Sequence, residues 1–266
     1  MEEPLPVLDS PPEVPLPPAT SLAARLLNVF AIPGEVFAGV RVSRISIGNW
    51  LVPALLLALV GVVTVFVVVS QPAFQRQIHD LTERQAKALD EQVKAGKVKQ
   101  PDADRAMALT RAITTSASLK SLFSFGAAVV GATRVFWWGF VLWLLGRLFL
   151  KVRFGYPKAL EVAGLGLMIS VLGAVVMLLL MVNLPKLFST PSLAFAVGDF
   201  DTNRQSLLLM GAANVFSLWL LGVLSVGLAK LAGVPFLRAA WFVFAAWAIQ
   251  QSLLILGGGV LVQFIR

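Results

Sequence analysis

The chain contains no cysteine, a single histidine (His79) and a single tyrosine (Tyr156) among 266 residues. Without cysteine there can be no disulfide, no thiolate metal site and no thiol nucleophile. Without a second histidine there is no His-based metal cluster, and none of the apolar runs supplies an imidazole base for a serine nucleophile. Gly222-Val-Leu-Ser225-Val-Gly227 has the wrong spacing for a hydrolase elbow. Charge is also scarce, at 14% Asp, Glu, Lys and Arg, where soluble domains carry roughly 25%. No glycine-rich phosphate loop follows a strand pattern. Nucleic-acid binding would rest on the net charge of +8 alone, and is not expected. No cofactor, metal or catalytic residue is assigned, and the chain is read as a non-enzyme.

What is plentiful is apolar sequence: 58% of residues are hydrophobic and the mean hydropathy is +0.82. The fold class expected is therefore an all-α membrane protein lying in a lipid bilayer. At 1.5 Å rise, about 20 residues cross a hydrocarbon core of about 30 Å. Five runs are long enough, at about 50–70, 122–150, 159–182, 206–228 and 239–262. Asn49 is a plausible cap for the first, with Pro53 in its first turn, where a missing N–H costs least. Pro157 opens the third, and Gly257, Gly258 and Gly259 loosen the end of the fifth.

Three segments lie outside these spans. Residues 1–20 are proline-rich and acidic with no periodicity, a disordered or polyproline-like tail. Residues 21–48 hold two short amphipathic helices, the first capped by Ser21 and the second opened by Pro33. Such a segment either rests in the headgroup layer with Arg25, Arg41 and Arg44 outward, or packs on the end of the bundle. Residues 71–121 are the one sizeable hydrophilic region, read as an extramembrane helical hairpin. Gly96 stops its first helix and Pro101 starts its second, while His79 sits on its polar side.

With the N-terminus inside, the inner segments hold Arg25, Arg41, Arg44, Lys151, Arg153, Lys158, Lys230 and Arg238, whereas the loop before span four has Lys186 and Arg204. That asymmetry satisfies the positive-inside rule, with the basic 71–121 hairpin as counter-evidence. The expected location is a bacterial cytoplasmic (inner) membrane with the N-terminus cytoplasmic.

One charge, Arg134, falls in the middle of the second span, and intramembrane charge is by default a functional candidate. Asn214, Gln250 and Gln251 complete a candidate intramembrane polar cluster, expected to bring Arg134 into the bundle and bond it to Asn214, Gln250 or a backbone carbonyl. A weak internal repeat supports the pairing. Gly131-Ala-Thr-Arg134-Val-Phe136 aligns with Gly211-Ala-Ala-Asn214-Val-Phe216, and Gly155-Tyr-Pro157 with Gly233-Val-Pro235. The cluster serves either as a permeation site or as interhelical hydrogen bonding beside small-residue faces such as Ala127 and Gly131. Glu161, near the inner end of span three, lies at about the depth of Arg147, giving a candidate rim ion pair. A Glu161–Arg134 pair is excluded by depth, a separation of about 18–20 Å.

Several stretches resemble a known family. The pre-membrane segment RLLNVFAIPGEVFAGVR (25–41), the charged VKAGKVKQPDADRA (93–106), the five-span count and Phe154-Gly155-Tyr156 before span three are similar to Yip1-domain proteins, over roughly residues 22–262. The resemblance implies a five-helix membrane domain with a cytoplasmic N-terminus and a non-catalytic role. Eukaryotic members bind small Rab-type GTPases and help shape trafficking membranes. Their Asp-Leu-x-Gly-Pro element is absent from this chain, so no partner-binding residue is carried across. Partners beyond the bilayer are unassigned, and the glycine-rich faces permit a homo-oligomer.

Overall fold

A computed structural model describes residues 21–183 and 214–265, with side chains described as far as Leu254. The expected 1–20 tail and the 184–213 connection, with Lys186 and Arg204, lie outside the described residues, as does the start of the fourth expected span. Among the described residues the chain is all-helical. Helices α1 (Leu22–Asn28) and α2 (Pro33–Val42) precede α3 (Gly48–Ser70), α4 (Pro72–Lys94), α5 (Gln100–Ile113) and α6 (Ser116–Leu148). Helices α7 (Tyr156–Gly166), α8 (Met168–Asn183), α9 (Val215–Ala232) and α10 (Phe236–Ile265) follow.

Local chemistry sets most of these boundaries. Ser21 Oγ accepts the Ala24 N–H at 3.2 Å, capping α1, and Thr115 Oγ1 accepts the Ser118 N–H at 3.2 Å, capping α6. Prolines occupy the first turns of α2, α4, α5 and α7, where their missing N–H has no helical partner to lose. Gly233 closes α9 in the left-handed region at φ 68°, a conformation glycine adopts without a Cβ penalty.

Four helical stretches are long and apolar enough to cross a bilayer: Gly48–Ser70, Ser116–Leu148, Tyr156–Asn183 and Val215–Ala232. The third is α7 and α8 in series, with a brief turn at Leu167. The fifth expected span, 239–262, falls within α10. Helix α6 is the longest at 33 residues and packs most extensively along α3, which also meets α7 and α8. Helix α9 lies against α10, α2 and α7.

Close backbone approach explains how α3 can meet two neighbours at once. A Cβ on Gly164 of α7 would lie 2.3 Å from Trp50 Cα and 2.6 Å from the Asn49 carbonyl oxygen. Pro53 falls inside α3 rather than in its first turn, so the Asn49 carbonyl has no N–H four residues on to receive, and it packs on Gly164 instead. On the α6 side, a Cβ on Gly131 would sit 3.1 Å from Ala58 N, and one on Gly61 would sit 3.2 Å from Ala127 Cβ. The small-residue face of Ala127 and Gly131 is thus used within the chain, against α3.

The two short leading helices are part of this core. Val36, Phe37 and Val40 of α2 are buried, and Phe37 packs at Gly227 of α9. Packing on the end of the bundle, one of the two sequence readings of this segment, describes α2. Helices α4 and α5 contact each other around a groove of about 430 Å³ lined by residues including Ile78, His79, Met107 and Arg111. His79 Nε2 is 3.3 Å from Glu83 Oε1, with its side chain 72% exposed.

Candidate functional site

Two polar centres stand out, one buried and one open. The buried centre is Glu161, whose side chain is completely inaccessible. Its Oε1 accepts the Ser46 N–H at 2.7 Å and the Asn49 Nδ2–H at 2.8 Å. Lys158 Nζ lies 2.9 Å from Oε2, close enough for an ion pair but not aligned for a good hydrogen bond. The same ammonium donates to the Val40 and Ser43 carbonyls, each at 2.7 Å. One turn of α7 therefore holds the end of α2, the α2–α3 connection and the start of α3 in a single network. A buried carboxylate persists only when paired and hydrogen-bonded, and both conditions are met here.

This arrangement corrects two sequence expectations. Glu161 does not pair with Arg147: its cation is Lys158, three residues earlier on the same helix. Arg147 instead lies over the Trp143 ring, 5.6 Å from its centroid, a cation–π contact. Matching depth along two spans was insufficient, because two residues at one depth can still point around different sides of their helices. Nor does Asn49 cap α3. The cap position is Ile47, with no side-chain hydrogen bond, and the Asn49 amide is turned to Glu161. The i,i+3 spacing of Lys158 and Glu161 was the available signal for the true pair; Ser46 and Asn49, more than a hundred residues away, gave none.

The open centre surrounds Arg134, at the middle of α6. About 20 Å of helix separates it from Arg147 toward one end and from Lys120 toward the other. It lines two adjoining cavities. One, of about 170 Å³, also has Ser170, Asn214 and Ser217 on its wall. The other, of about 470 Å³, has Ser217, Trp247, Gln250 and Gln251. Asn214 lines the first and Gln250 and Gln251 the second, while Arg134 borders both and is itself an exposed residue, against the expectation that it turns into the bundle.

The expected bonds to that guanidinium are not made. Asn214 is the N-cap of α9, its Oδ1 accepting the Ser217 N–H at 2.8 Å. Gln250 Oε1 accepts the Trp137 indole N–H at 2.8 Å. Among the described residues Arg134 has no hydrogen bond, ion pair or ring contact. The two repeat-related positions share a cavity but differ in kind, since Arg134 sits mid-helix and Asn214 at a helix start. The remaining described serine that is fully buried, Ser225, returns its hydroxyl to the Leu221 carbonyl at 2.6 Å.

A chain whose long helices are this apolar, with broad exposed faces of Leu, Val, Phe and Trp such as Leu55, Leu59, Phe125 and Trp241, is an integral membrane protein. Its sequence matches the family described as the Yip1 domain over residues 27–257. The chain belongs to the Yip1-domain family. No curated protein and no solved structure matches it.

Proposed function

We propose that the chain is a non-enzymatic Yip1-type protein of a bacterial cytoplasmic membrane, organising the membrane or partner proteins within it. The observation that carries this reading is where the buried charge is used. Glu161 is the single buried acid among the described residues, and its hydrogen bonds and its ion pair tie the α2–α3 connection to α7. Fixed internal ties of this kind suit a rigid platform better than a reaction centre.

In this reading α10 supplies a fifth span, and α4 with α5 forms a hairpin outside the bilayer. The N-terminus lies in the cytoplasm, on the side where Lys151, Arg153, Lys230 and Arg238 gather at helix ends. Small-solute or ion transport is the alternative, and the polar cavity at Arg134 is what favours it.

Purified protein reconstituted into phospholipid vesicles separates the two. The organising reading expects no solute or ion flux above protein-free vesicles, with altered vesicle size or shape by electron microscopy. Flux that depends on the solute offered and disappears in Arg134→Ala would overturn it.

A further inference from the structure

We infer that the cavity between α6, α9 and α10 is a binding site for a phosphate-type oxyanion, held by Arg134. This goes beyond the organising reading and stands whether or not the protein also moves a solute.

The argument begins with cost. A guanidinium at mid-span is several kcal/mol out of place unless something compensates it. Among the described residues Arg134 has no partner, and no acid lines either cavity beside it. What does line them is donor-rich. Gln250 has its carbonyl oxygen engaged by Trp137, so the end it can offer to the cavity is its NH₂ group. Gln251 and the hydroxyls of Ser170 and Ser217 are further donors on the same walls.

Helix α9 adds to the same sign. It begins at Val215, and Asn214, Phe216 and Ser217 at its start line the smaller cavity with Arg134. The positive end of an 18-residue helix dipole therefore meets the guanidinium in one space. A planar fork of N–H groups and a set of neutral donors, with no competing carboxylate among the described residues, fits a tetrahedral oxyanion. The larger cavity is bounded by the exposed Val129 and Val130 of α6, on a lipid-facing side. The anion can accordingly arrive on a lipid headgroup or as a free ion.

The test uses the full chain purified in a phosphate-free maltoside detergent, with two probes. Inorganic phosphate is titrated against chloride at constant ionic strength, and phosphatidylglycerol is titrated as mixed micelles against phosphatidylcholine. Binding is read by tryptophan emission, since Trp137 and Trp247 line the site, and by native mass spectrometry. We expect saturable binding that weakens about tenfold or more in Arg134→Gln, weakens less in Gln251→Leu and is largely retained in Arg134→Lys. Helical circular dichroism confirms that each variant is folded, and Gln251→Leu keeps the test alive should Arg134→Gln misfold.

Retention of phosphatidylglycerol alone identifies a lipid source; response to inorganic phosphate as well identifies a free anion. Equal affinity in wild type and folded Arg134→Gln would overturn the inference, as would absence of binding by both probes.

Discussion

Replacing Lys158 with methionine tests the buried network at its cation. The substitution preserves most of the aliphatic volume and removes the ammonium. Three contacts go with it: 2.9 Å to Glu161 Oε2 and 2.7 Å to each of the Val40 and Ser43 carbonyls. Glu161 would keep the Ser46 and Asn49 donors on Oε1, but Oε2 would be a buried charge with no counter-ion. Removing one partner of a buried pair costs about 3–5 kcal/mol. Lys158 is 17% exposed against 0% for Glu161, so the lysine is incompletely desolvated and the expected loss lies near 3 kcal/mol. The double variant Lys158→Met/Glu161→Gln removes the stranded charge and should recover part of that loss, a coupling of about 1–3 kcal/mol. Thermal unfolding in detergent gives the ranking, and hydrogen–deuterium exchange over 40–49 gives the location, because that segment is what the network holds. A Lys158→Met protein with wild-type melting temperature and wild-type protection at 40–49 would refute the reasoning. Additive losses in the double variant would refute the pairing.

Four further outcomes can be measured. Gly164→Ala should destabilise the protein severely, by about 3 kcal/mol or more, because its Cβ would fall on the α3 backbone. Gly222→Ala, with nothing within 4 Å of its Cβ, should be neutral or stabilising by up to about 1 kcal/mol; parallel melting curves check the contrast. Gly131→Val should be more damaging than Gly131→Ala, since the nearest atoms are the Ala58 backbone at 3.1 Å, read as lost folded yield after detergent extraction. A cysteine introduced at Gly96 should react with an impermeant maleimide from outside intact cells, and labelling only after lysis would reverse the proposed orientation. The chain's lack of cysteine makes that assay free of background.

The legible parts of the fold are those governed by composition and local caps. The apolar runs at Trp50–Ser70 and Phe123–Leu148 define helices whatever their neighbours, because lipid leaves a backbone few ways to satisfy its polar groups. Pro33, Pro101, Gly96 and Ser21 mark boundaries by mechanisms acting within a few residues. Arg134, Asn214, Gln250 and Gln251 stand out in the sequence as polar positions in apolar spans, and in the structure they line two cavities, both of which Arg134 borders. Choice of bond was not readable. Asn214 satisfies α9 and Gln250 satisfies Trp137, and each preference depends on where a helix starts or how it is rotated. The Glu161 partners were missed for the same reason, apart from Lys158, whose spacing was visible in the sequence.

The Glu161 network also has a meaning in time. Ser46 and Asn49 leave the ribosome more than a hundred residues before the carboxylate that accepts from them, and Phe37 emerges long before the α9 groove at Gly227. Until then α1 and α2 have an uncovered apolar face and the start of α3 has unmet donors. The opening helices can dock only when α7 and then α9 are in place, so the latest-made half of the chain decides whether the earliest-made half is finished. A chain truncated after α8 would leave Val36, Phe37 and Val40 without their α9 surface, and that uncovered face is what quality-control proteases would meet first.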